Sequence, residues 1–127
     1  MQALIKDFLN QRRFAVVGSF RNPGKYAYQI LVNLKNKGYR VYPVNPGLKE
    51  VEGLKCYASV KDIPAAVDVV DIVTPPKITR EILTQCKQKK ISRIWLQPGA
   101  ESQEAIRFCR ENSMQVIYGL CLMLEDK

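Results

Sequence analysis

Apolar positions along the chain alternate between two spacings. Leu4, Ile5, Phe8 and Leu9 recur at the helical interval and predict a short opening helix with one apolar face. Phe14–Val17 then reads as a continuous apolar strand, ending abruptly at Gly18-Ser19. From about Tyr26 to Lys37 the helical interval returns, with Ala27, Ile30, Leu31 and Leu34 on one face and Gly38 as the stop. Tyr39–Asn45 predicts a second strand, bent or partly unpaired at Pro43, which has no N–H to give a ladder.

Pro46–Tyr57 reads as irregular, and Ser59 with Asp62 resembles a capping box around a short turn. Val67–Val73 is β-branched and suits a buried central strand. Thr74-Pro75-Pro76 breaks it and opens a helix carrying Ile78, Ile82, Leu83 and Cys86. Ile91–Leu96 predicts a fourth strand, about Ser102–Asn112 a helix, and Gln115–Tyr118 a fifth strand. Strands alternating with helices at this period predict an α/β Rossmann-like domain of three layers, with a five-stranded, mostly parallel sheet. A length of 127 residues supports one domain over 1–127.

In such a sheet a ligand sits beyond the carboxyl ends of the strands, near the point where strand order reverses. That rule selects five loops: Gly18–Lys25, Asn45–Gly47, Thr74–Lys77, Gln97–Ala100 and Gly119–Cys121. The first is the most informative. A strand that passes through a glycine-bearing loop into a helix presents unpaired N–H groups, which suit a phosphate, and Arg21 and Lys25 add positive charge there. The loop is not a dinucleotide fingerprint. Phe20 stands where GxGxxG needs its second glycine, and the second strand ends in Asn45-Pro46 rather than in the carboxylate that holds an NAD ribose. Arg40 and Lys49 keep an NADP-binding regulatory domain as an alternative.

Charge and composition narrow the chemistry. The net charge of +8 comes from dispersed cations, many closing helices, where lysine complements the helix dipole. No basic stripe is interleaved with aromatics, so a phosphorylated small molecule is favoured over nucleic acid. No apolar run approaches the ~20 residues of a membrane span, and the amphipathic start does not read as an export signal. Four cysteines without metal-ligand spacing then fit reduced thiols in the cytoplasm. The absence of histidine removes Ser-His and Cys-His pairs and imidazole metal ligands, leaving no complete catalytic constellation and no metal site.

The segments VVGSFRNPGKY (16–26), GYRVYPVNP (38–46), EGLKCYASVKDIP (52–64), TPP (74–76), WLQPGAES (95–102) and YGLCLMLE (118–125) together resemble the CoA-binding domain family. This is a family of small stand-alone proteins related to the N-terminal domain of the succinyl-CoA synthetase alpha subunit. The resemblance implies a cytoplasmic module that binds coenzyme A or an acyl-CoA, with any homo-oligomer or protein partner left open. Carried over by position, it implies that Gly18, Ser19, Arg21, Asn22 and Lys25 meet the phosphates, with Phe20 and Tyr26 also cofactor-binding. Asn45 and Pro46 would border the nucleotide, and Thr74, Pro75 and Pro76 its adenine or ribose side. Gln97, Pro98 and Gly99 would line the way to the pantetheine arm. Cys121 matches the family's closing cysteine and is a candidate acyl-accepting or CoA-redox thiol. The ligase relatives carry an asparagine before it, where this chain has Leu120, and their phosphorylated histidine has no counterpart here. The resemblance therefore favours binding over the ligase reaction.

Overall fold

The computed structural model describes residues 1–125. Its central sheet contains β1 (Arg13–Gly18), β2 (Arg40–Val44), β5 (Val69–Val73), β6 (Arg93–Leu96) and β7 (Gln115–Tyr118), in the spatial order β2-β1-β5-β6-β7. All four pairings are parallel. The chain steps outward from β1 to β2, then returns to β5 on the other flank, so the strand order reverses between β1 and β5.

Four helices cover the sheet: α1 (Gln2–Leu9), α2 (Tyr26–Asn36), α3 (Pro76–Gln88) and α4 (Gln103–Glu111). Strand alternation sends Phe14, Val16, Val69, Trp95 and Ile117 into one core with α1 and α2, while Ala15, Val17, Val70, Ile72, Ile94 and Leu96 meet α3 and α4 on the other face. Trp95 is fully buried, packs edge-on against Phe8 (ring centroids 6.1 Å apart) and donates its indole N–H to the Leu120 carbonyl at 2.9 Å. That bond, with Leu122 N–H donating to Gln97 Oε1 at 2.9 Å, fastens the chain beyond β7 across the first face.

Three local expectations change. Pro43 does not unpair β2: it sits in register opposite Val16. Its missing N–H faces the outer edge, where its carbonyl accepts from Tyr57 N–H at 3.0 Å. The segment read as irregular holds a small antiparallel hairpin, β3 (Glu50–Val51) with β4 (Leu54–Lys55). At its tip Glu52 adopts φ 52°. Two contacts from α2 steady it: Lys35 Nζ donates to the Glu52 carbonyl at 2.7 Å and the Tyr28 hydroxyl donates to its carboxylate. No capping box forms at Ser59; the N–H of Val60 is taken by the side chain of Gln85, from α3, at 3.1 Å.

One core residue breaks the apolar pattern. Asp71, on the central strand β5, is fully buried, and neither carboxylate oxygen has a hydrogen-bond partner among the described residues. Burial pushes its carboxyl well above the ordinary range, so it is held protonated.

Candidate functional site

A cleft of about 390 Å³ opens at the carboxyl rim where β1 and β5 diverge. Its floor and walls come from Val17-Gly18-Ser19 at the end of β1, Val44-Asn45-Pro46 at the end of β2 and Val73-Thr74-Pro75 at the end of β5. Gly18 is dictated by close approach: a Cβ there would stand 2.6 Å from the Ala27 Cβ and 2.9 Å from the Val73 carbonyl oxygen. Its absence lets the first turn of α2 press onto β1 and β5.

Asn45 joins the loops that frame the cleft. Its side-chain Nδ2 donates to the Gly18 carbonyl at 2.7 Å, and its Oδ1 accepts from Gly47 N–H at 2.8 Å. Its backbone N–H donates to the Tyr57 carbonyl at 2.9 Å. Asn45 thus spans three segments, and its side-chain amide is engaged within the protein.

The helices opening on this rim differ in their free donors. The N-terminus of α4 is capped by Ser102, whose Oγ accepts from Ala105 N–H at 3.0 Å. α3 begins on Pro75-Pro76, and the N–H groups of Ile78 and Thr79 both go to the Pro75 carbonyl. α2 starts at Lys25 with no side-chain cap. Its first-turn N–H groups therefore lack intrahelical partners at the positive end of the helix. The preceding loop is ordered by Asn22, whose Oδ1 accepts from Gly24 N–H at 2.8 Å and whose carbonyl accepts from Lys25 N–H at 2.9 Å. Arg21 lies over Gly47, its Nη2 reaching that carbonyl at 3.5 Å; a Cβ on Gly47 would come within 2.5 Å of the guanidinium.

The structure gathers Gly18, Ser19, Asn45, Pro46, Thr74 and Pro75 into the cleft. Arg21, Asn22, Lys25 and Tyr26 form an exposed lip beside it, and Tyr26 is 65% exposed. A neighbouring groove of about 310 Å³ lies between Thr74-Pro75 and Pro98-Gly99-Ala100. The side chains of Phe20 and Gln97 turn inward. Phe20 packs in the first-face core, and Gln97 is 3% exposed with its Oε1 occupied by Leu122 N–H. Pro76 is exposed as the first residue of α3 and lines neither space.

Cys121, half-buried after β7, lines neither the cleft nor the groove. Cys56, Cys86 and Cys109 are buried. Burial pushes the thiol of Cys109 up to about 11 against the opposing pull of Arg80. It raises Cys86 further, and it raises Cys56 as well. Arg40, invoked above for an NADP phosphate, begins β2 at the opposite rim, about 13 Å from the strand's far end.

The cleft also uses residues that the motifs did not single out as lining. Ile78, Glu81, Ile82 and Gln85 of α3 line one wall, with Ala58 and Ser59 nearby. Their three- and four-residue spacing was the available signal, since a single helical stripe here serves both core and cleft. Ile78 is 47% exposed, an apolar surface facing the opening.

A doubly wound parallel sheet with a cleft at its switch point defines the Rossmann-like α/β class. Within that class the chain belongs to the CoA binding domain family, whose model matches residues 12–127. It is 33% identical over 130 residues to the alpha subunit of the ADP-forming acetate–CoA ligase II of Pyrococcus furiosus, covering 94% of this chain and 28% of the ligase subunit. The chain therefore spans little more than a quarter of that relative. It is 28% identical over 122 residues to the uncharacterized protein YneT of Bacillus subtilis, covering 95% of this chain and 90% of YneT. Among solved structures, a conserved hypothetical protein from Pyrococcus furiosus superposes with a TM-score of 0.87 at 42% identity. That match covers 91% of this chain and all of the other.

Proposed function

We propose that the protein binds coenzyme A or an acyl-CoA in the switch-point cleft, acting as a stand-alone cytoplasmic binding or regulatory module. The observation that carries this reading is the open N-terminus of α2 beside Gly18, the one helix start of the three on this rim with neither a side-chain cap nor a proline seal. Phosphates placed there meet backbone donors, with Arg21 and Lys25 on the lip. Glu81 is the only charged residue lining the cleft among the described residues, and it repels phosphate while accepting hydrogen bonds from an amino group. The base then lies toward α3 and the apolar surface of Ile78, and the pantetheine arm leaves through the groove at Pro98-Gly99. In this reading Gly18, Ser19, Arg21, Asn22, Lys25 and Tyr26 serve the phosphates. Asn45 positions the loops, and Phe20 and Gln97 support the site from the core.

Thermal shifts with CoA, dephospho-CoA, NAD and NADP side by side test the reading. CoA at a hundred times its dissociation constant should add ~2.7 kcal/mol of apparent stability, with NAD adding none. A larger shift with NAD than with CoA would overturn it.

A further inference from the structure

The opposite rim, where the strands begin, carries a cluster of positive charge that the proposed function does not use. Arg12 and Arg13 lead into β1, Arg40 opens β2, and Lys37 closes α2. The register sets Arg13 directly beside Arg40. Two adjoining grooves lie there and share Arg12 and Gly38. One, of about 270 Å³, is bounded by Arg12, Arg13, Gly38 and Arg40. The other, of about 340 Å³, reaches Lys37 and the end of α1.

None of these four side chains has a hydrogen-bond or ion-pair partner among the described residues, whose ion pairs are Arg80–Glu104 and Arg93–Asp7. Like charges on neighbouring strand positions destabilise a sheet unless something offsets them. The local offsets are small. Asp68 Oδ2 accepts from the backbone N–H groups of Arg13 and Arg12, at 2.9 and 3.3 Å. The C-termini of α1 and α2 each bring roughly half a negative charge. Four cations set against these leave an excess of about two positive charges. Helix-dipole complementation accounts for Lys37, but not for an arginine pair at strand starts.

We propose that this rim is a second anion site, which takes a small oligophosphate of pyrophosphate size. Guanidinium forks suit phosphate oxygens held by two donors at once. The grooves offer no exposed aromatic surface on which a base could stack, since their one ring, Tyr39, is buried in the core. Recognition therefore rests on phosphate alone. The length of β1 separates this site from the switch-point cleft by roughly 16 Å, so the two can be occupied independently.

Titrating the 15N-labelled protein with inorganic pyrophosphate at low salt, and following backbone amide shifts, tests the proposal. Saturable shifts at Arg12, Arg13, Gly38 and Arg40 are expected. Arg12→Gln and Arg40→Gln should each weaken that saturation about tenfold or more. Each variant's own spectrum reports whether it folds, and Lys37→Gln, altered on an exposed side chain, is a further variant expected to weaken binding. Shifts confined to Gly18–Tyr26 would overturn the proposal. So would shifts at the lower rim that never saturate, or that persist unchanged in all three variants.

Discussion

Asp71 and the thiols carry testable chemistry of their own. Asp71 is held protonated by burial, so the folded chain keeps a proton that the unfolded chain releases once pH passes the ordinary carboxylate value of 3.8. Stability is then fully present below that value and declines as pH rises toward the raised folded value. Asp71→Asn removes this titration. Its melting temperature should gain on that of the wild type as pH rises from about 4 to about 7. Parallel melting curves would show a partner or solvent already compensating the carboxylate. The thiols form the second case. Thiolate is the reactive form, and burial both hides Cys86 and Cys109 and raises them. Cys121, half-buried after β7, should be alkylated well before either, which peptide mapping over a time course would show. If Cys121 proves as inert as Cys86, an acyl-accepting or CoA-redox role for it fails.

Among the elements, α2 and its loop bear the phosphates in the proposed reading. Arg21 and Lys25 are exposed and contribute little to the core, so replacing either with alanine should leave the free protein's stability within ~0.5 kcal/mol. CoA affinity should fall by about 10–100-fold, the value of a hydrogen bond to a charged group, measured by calorimetric titration. Unchanged affinity in both variants would move the phosphates elsewhere. The same elements show what the sequence could reveal. β1, α2 and β7 were legible because their apolar spacing extends over several residues and ends on clear signals such as Gly18 and Gly38. The β3–β4 hairpin was not, since two-residue strands are too short to show a period. Pro43 was misjudged because a sequence does not say which edge of a strand faces a neighbour. The cap of Val60 was hidden because its acceptor is Gln85, 25 residues away.

At the scale of the whole molecule, the order β2-β1-β5-β6-β7 makes a site from distant segments. The rule that ligands gather at the carboxyl ends of parallel strands selected the loops of Gly18, Ser19, Asn45, Pro46, Thr74 and Pro75, and these residues line one cleft. It could not predict which rim side chains turn inward, because loop membership does not fix side-chain direction. Phe20 and Gln97 went to the core for that reason. Nor could it separate Cys121, beyond the outermost strand, from the switch point between β1 and β5.

The central claim is that CoA occupies the cleft between β1 and β5 with its phosphates at the start of α2. Backbone amide shifts of the 15N-labelled protein, titrated with CoA, test it most directly. Saturable shifts are expected at Gly18, Ser19, Asn45 and Thr74 and in the first turn of α2. Saturation without any shift at Gly18, Ser19 or the first turn of α2 would contradict it.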